Sequence, residues 1–172
     1  MVSDDSDPDF DPPIVCPFVV VVDSREQAPF HFTGIEADKS DGGVDGQQLI
    51  VPTTIMTLKT GDYSIVGLED KIAVERKSIA DWFNSIGTDR ERFEREMERL
   101  ALMDYAAVVI EGDWRELLLN SEQHTRMNPK ASHRTMISWS IKYGVHFWPC
   151  MSRRHAELMT FQILRLYWRH KI

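Results

Sequence analysis

Tyr105–Glu111 reads Tyr-Ala-Ala-Val-Val-Ile-Glu, and every residue from Ala106 to Ile110 is apolar. Successive side chains on a strand point to opposite faces, so a strand of this composition must be covered on both sides. It belongs in the middle of a sheet with helices packed above and below. Residues 18–23, a short β-branched apolar run ending in a polar cluster, read as another buried strand.

The rest of the chain supplies partners for these two. Residues 49–58, rich in Val, Ile and Thr, suggest a strand, and 63–66 and 72–75 suggest two more around a turn at 67–70. Residues 28–48 contain Pro29, Gly34, Gly42, Gly43 and Gly46 and read as a loop or insertion. Ser78 has the look of a helix N-cap, with Trp82, Phe83 and Ile86 following at helical spacing. Residues 89–102, 114–119, 129–143 and 152–170 read as further helices, Gly144 closing the third of these, and 145–148 as a last strand. Strands first and alternating helices later predict a three-layer α/β domain with a mixed central sheet.

Composition narrows the classes. At 172 residues, 42% hydrophobic and 27% charged, the chain suits one soluble domain with a proper core. No apolar run approaches the ~20 residues of a membrane span. The acidic start argues against a signal or transit peptide. Cys16 and Cys150 have no metal-ligand spacing and cannot make a disulfide framework, which fits a reducing, intracellular setting. The six histidines show no ligand spacing either. The net charge of -7 is unevenly spread. Residues 1–17 are expected to be an acidic tail, disordered over 1–13, with five Asp and no Lys or Arg. Residues 18–172 form the domain, whose part from 123 onward carries nine basic residues against Glu157 alone. That basic, helical third is either a phosphate-binding surface or a set of solvated helix faces.

Chemistry concentrates at Gly61-Asp62 and Val74-Glu75-Arg76-Lys77. Two carboxylates are hard oxygen ligands for Mg²⁺, and a cation beside them can handle water and phosphate. On a strand through residues 72–77, Glu75 and Lys77 share one face and Arg76 takes the other. Together with Asp81, these residues resemble the GD…VERKxxxD signature of the XPF family of structure-specific DNA endonucleases. Val21-Val22-Asp23-Ser24-Arg25-Glu26 is similar to the family's opening strand and D-x-R-E motif. Arg92-Phe93-x-x-Glu96 and Val108-Val109-Ile110-Glu111-Gly112 fit the helix and strand that follow.

The resemblance implies a restriction-endonuclease-like fold and Mg²⁺- or Mn²⁺-dependent hydrolysis of DNA phosphodiesters, at branched or single-strand/double-strand junctions. It implies Asp62, Glu75 and Lys77 as catalytic residues, with Asp23, Glu26, Asp62 and Glu75 around the metal. Arg25, Arg76, Asp81 and Arg92 are expected to support them. Arg76 could equally pair with a carboxylate, Asp81 stabilise a helix start, and Arg92 be one more surface charge. Arg126, Lys130, Arg134, Arg153 and Arg154 are the expected DNA contacts, with a homodimer as the family's usual assembly and no small-molecule cofactor. The family's tandem helix-hairpin-helix module is expected to be missing, which leaves junction selectivity in doubt. Two rivals stand: a catalytically silent DNA-binding or scaffold subunit, and a nuclease of the same fold without junction preference. Silent partners lose the acidic and lysine positions that this chain keeps.

Overall fold

The computed structural model describes residues 11–119 and 128–172. A mixed six-stranded sheet is its centre. Its strands are β2 (Val20–Asp23), β5 (Thr53–Met56), β6 (Tyr63–Ile65), β7 (Ile72–Ser78), β8 (Tyr105–Glu111) and β9 (His146–Pro149), in the order β5-β2-β6-β7-β8-β9. β7, β8 and β9 run parallel, as do β2 and β5, while β6 is antiparallel to both of its neighbours.

β8 is buried along its five central residues, as its composition requires. Ala106, Val108 and Ile110 face one core with Trp82, Phe83, Phe93, Met97 and Trp139. These come from α1 (Ile79–Ile86), α2 (Arg90–Leu100) and α4 (Pro129–Tyr143). Val109 faces the other core, with Val20, Val22, Tyr63, Ile65 and Val74 of the sheet and Phe161 and Leu164 of α5 (Arg153–Lys171). The short α3 (Trp114–Leu119) packs beside α4. This is the restriction-endonuclease-like, three-layer α/β arrangement.

Two expectations need correction. Residues 49–58 are not one strand. Pro52 lacks an N–H for a ladder, and the chain divides there into β4 (Gln48–Ile50) and β5, which lie in different sheets. Residues 28–48 are more than a loop. They hold β3 (Ile35–Glu36) and a 3-10 helix (Lys39–Asp41), and β1 (Ile14–Val15), β4 and β3 form a second, three-stranded sheet. Glycine and proline marked the turns, but Phe30, Phe32, Ile35 and Ala37 enter the core between them. The end of the expected tail is likewise structured, since β1 pairs with β4 and Cys16 is buried.

Candidate active site

β7 carries the site because its apolar N-terminal half anchors in both cores while its last residues emerge at the sheet's edge. Glu75 and Lys77 face α1 and α2. Lys77 Nζ lies 2.7 Å from Glu75 Oε1 and 4.7 Å from the centre of the Phe93 ring. Arg76 faces the opposite layer, its guanidinium 5.8 Å from the Phe30 ring.

A tight turn brings Asp62 to the same place. Gly61 has φ +75°, and an added Cβ would lie 3.0 Å from Ala73 Cβ and 3.3 Å from the Val74 carbonyl. Backbone this crowded at positive φ needs glycine. The Asp62 amide donates to the Val74 carbonyl at 2.9 Å, and its carbonyl accepts from the Asp23 amide at 2.8 Å. Tyr63 pairs with Val74 in the antiparallel register, so the next step along sets Asp62 opposite Glu75. Asp62 Oδ2 accepts from the Arg76 amide at 2.7 Å.

Two carboxylates facing each other at a buried strand end resist ionisation. Burial, then the Glu75 charge, pushes Asp62 well above the ordinary carboxylate range. Burial also raises Glu75, against the pull of Lys77. Burial works against the Lys77 ammonium, but Glu75, Asp62 and Asp81 outweigh it and raise its pKa. Lys77 is therefore a charged ammonium at neutral pH.

A family model for the ERCC4 domain matches residues 22–162. The chain belongs to the ERCC4 domain family. No curated protein matches it in sequence. Among solved structures, XPF from Aeropyrum pernix is 23% identical with a TM-score of 0.58, over 86% of this chain and 60% of that one. XPF from Aeropyrum pernix in complex with DNA is 22% identical with a TM-score of 0.62, over 88% of this chain and 66% of that one. At those identities the likeness is one of fold, and this ERCC4 domain spans less than two thirds of either chain.

Around the pair, the expected residues divide. The Glu26 side chain is buried, its Oε1 accepting from the Ala28 amide at 2.7 Å and lying 3.5 Å from Arg76, and its charge raises both Asp62 and Glu75. Asp23 is committed elsewhere. Its Oδ1 accepts from the Arg25 amide and Nε, and its Oδ2 from Arg25 Nη2 and the Leu58 amide, all within 3.0 Å. Burial disfavours its charge, yet these donors hold its pKa below the usual range. Arg25, otherwise largely exposed, also donates to the Leu58 carbonyl.

Arg76 is a brace. Its Nε pairs with Glu111 at 2.8 Å, and Arg153 reaches the same carboxylate oxygen at 2.7 Å. Asp81 accepts from the Ser78 hydroxyl at 2.7 Å, and its amide donates back at 3.1 Å, which closes the start of α1. Arg92 is exposed, 3.4 Å from Asp89, one turn before Glu96 on the same stripe of α2.

Glu96 is the site residue that the expected set omits. It accepts from the Thr60 hydroxyl and, at 3.3 Å, from the Gly61 amide, and it pairs with Arg99. It thus pins the turn that carries Asp62, and its charge also reaches Glu75. Its signal was the final residue of Arg92-Phe93-x-x-Glu96, three after buried Phe93.

The expected DNA contacts also part ways. Arg153 donates to the Ala28 and Pro29 carbonyls and stacks 4.9 Å from Phe30. Arg154 binds Glu157 and the Gly34 carbonyl. Both tie α5 to the 28–34 segment. Lys130 and Arg134 are exposed on α4, and Arg126 lies outside the described residues.

Proposed function

We propose that this ERCC4 domain is a Mg²⁺- or Mn²⁺-dependent DNA endonuclease acting through Asp62, Glu75 and Lys77. The observation that carries this reading is Asp62 set opposite Glu75, with the Lys77 ammonium 2.7 Å from Glu75, on one face of a strand end. The donor chemistry suits a divalent ion. Among the described residues no three His, Cys, Asp or Glu side chains are grouped to hold a metal alone. Mg²⁺, however, is held by one or two carboxylates with waters and substrate phosphate completing its shell. Asp62 and Glu75 are such a pair, and their mutual repulsion is what a dication would relieve. A bound ion would polarise the phosphate and acidify a water.

The protein's own groups supply the rest. The Arg76 amide fixes the direction of Asp62, and Glu96 holds the Gly61 turn beneath it. Lys77, kept protonated by its carboxylate neighbours, is an electrostatic partner for charge growing on the phosphate rather than a base. Glu26 adds negative charge behind the pair. Asp23, with its oxygens already engaged, shapes the neighbouring backbone instead of ligating.

Family membership and the resemblance support branched or junction DNA as substrate, and a homodimer as the working form. An apolar groove of about 360 Å³ between Tyr105, Trp148 and α5 residues Met159, Ile163 and Leu166 suits a second copy. Labelled flap, fork and duplex DNA should be incubated with Mg²⁺, Mn²⁺ or EDTA. Flap or fork cleavage is expected with either metal and none in EDTA. Glu75→Gln and Lys77→Ala should lower it by at least ~100-fold. Cleavage that survives Glu75→Gln would remove the catalytic assignment, and equal cutting of duplex would remove junction preference. Sedimentation as a monomer at high concentration would dispose of the homodimer.

A further inference from the structure

The start of α4 meets the start of α2 in an open cleft of about 320 Å³, lined by Arg90, Asn128, Lys130, Arg134, Thr135 and Ser138. Three of these side chains are cationic. Arg90 is positioned by Glu94, 3.0 Å away, and by the Trp139 ring 5.0 Å beneath it. Lys130 and Arg134 have no carboxylate partner among the described residues. The first turn of α4 carries no acidic residue, so the positive end of this 15-residue helix adds to the field. A second, independent feature points to a ligand. Thr135 is 8% exposed, lines the cleft, and has no hydrogen-bond partner among the described residues. An unpartnered hydroxyl lining a cationic cleft can donate to an anionic oxygen.

We propose that this cleft holds a backbone phosphate of the DNA strand that passes through the Asp62–Glu75–Lys77 site. The proposal rests on the DNA-endonuclease reading above. The two places are linked by packed rings: Lys77 lies 4.7 Å from Phe93, Phe93 5.6 Å from Trp139, and Trp139 5.0 Å from Arg90. Arg90 is thus no more than about 15 Å from Lys77, roughly four steps of a strand rising ~3.4 Å per nucleotide. That distance lets one strand engaged at the carboxylates also touch the cleft, passing over the surface above the buried Phe93 and Trp139 rings. The contact is to phosphate, so it adds affinity and register without reading sequence.

Binding of a long labelled DNA strand in EDTA, followed by fluorescence anisotropy across a salt series, separates the outcomes. Lys130→Gln/Arg134→Gln in the full chain is expected to bind roughly tenfold more weakly, with a salt slope shallower by about 2. Thr135→Val, which keeps all the charges, should lose about two- to fivefold. Lys142→Gln, at the other end of α4, should bind like wild type. Unchanged affinity and slope in the double variant, beside a wild type that binds, would overturn the cleft alone. An equal loss from Lys142→Gln would also overturn it, in favour of a diffuse field. Displacement of the strand by micromolar inorganic phosphate would make the cleft a free-anion site instead. A wild type that binds no DNA would overturn the parent reading and this one with it.

Discussion

Asp62 illustrates how a single side chain can be poor for stability and yet suit the proposed chemistry. A carboxyl whose pKa is higher in the folded chain binds more protons there than in the unfolded chain. Its cost to stability is absent below the unfolded pKa of about 3.9 and grows as pH rises toward the folded value. Asp62→Asn keeps an acceptor for the Arg76 amide and removes the charge facing Glu75. In EDTA at neutral pH the variant should be about 1–2 kcal/mol more stable than wild type, with the gain fading near pH 4. Urea melts at the two pH values check this, and a less stable variant at pH 7 would refute it. Added Mg²⁺ should raise the melting temperature of wild type and not of the variant. That Glu75 and Lys77 share one face was legible from strand period, and the resemblance to a known motif pointed to Asp62 beside them. Glu96 was not, since its partners Thr60 and Gly61 lie 36 and 35 residues away in the chain. The hydrogen bonding of Asp23 was not legible either, because the donors that occupy it include the distant Leu58 amide.

Among the elements, the turn into β6 and the end of β7 decide the geometry together. Gly61→Ala sets a Cβ against Ala73 and the Val74 carbonyl at positive φ. The cost should be about 1–3 kcal/mol, and cleavage should fall further than stability alone explains because Asp62 moves with the turn. Thermal melting and single-turnover cleavage on one preparation test this, and wild-type rates in the variant would detach the turn from the site. The helices were legible from capping and spacing: Ser78 opens α1, and α3 and α4 run over the expected residues. The 28–50 region was not, because strands of two and three residues carry no usable period and pair with neighbours distant in the chain.

Across the whole molecule, the second small sheet and α5 are joined by charge. Arg165, 3% exposed, lies against Asp41 of the 3-10 helix, with Nε 2.9 Å from Oδ1, and Arg169 joins the same carboxylate. Arg165→Met should cost about 3 kcal/mol by leaving Asp41 buried and less well paired. A denaturant melt within 0.5 kcal/mol of wild type would mean that the clamp is dispensable. The same contacts revise the basic C-terminal third. Arg153, Arg154, Arg165 and Arg169 spend their charge on internal carboxylates and carbonyls, so the net charge of this third overstates what it can offer a phosphate, while Lys130 and Arg134 stay exposed. The layered α/β class and the doubly covered β8 could be read from local period, and the family resemblance named Asp62, Glu75 and Lys77 as the residues to look for. Folding in three dimensions settles which cations lack a carboxylate partner among the described residues, which carboxylates face one another and how Glu96 joins them. Those depend on contacts between residues far apart in the chain, which no local pattern encodes.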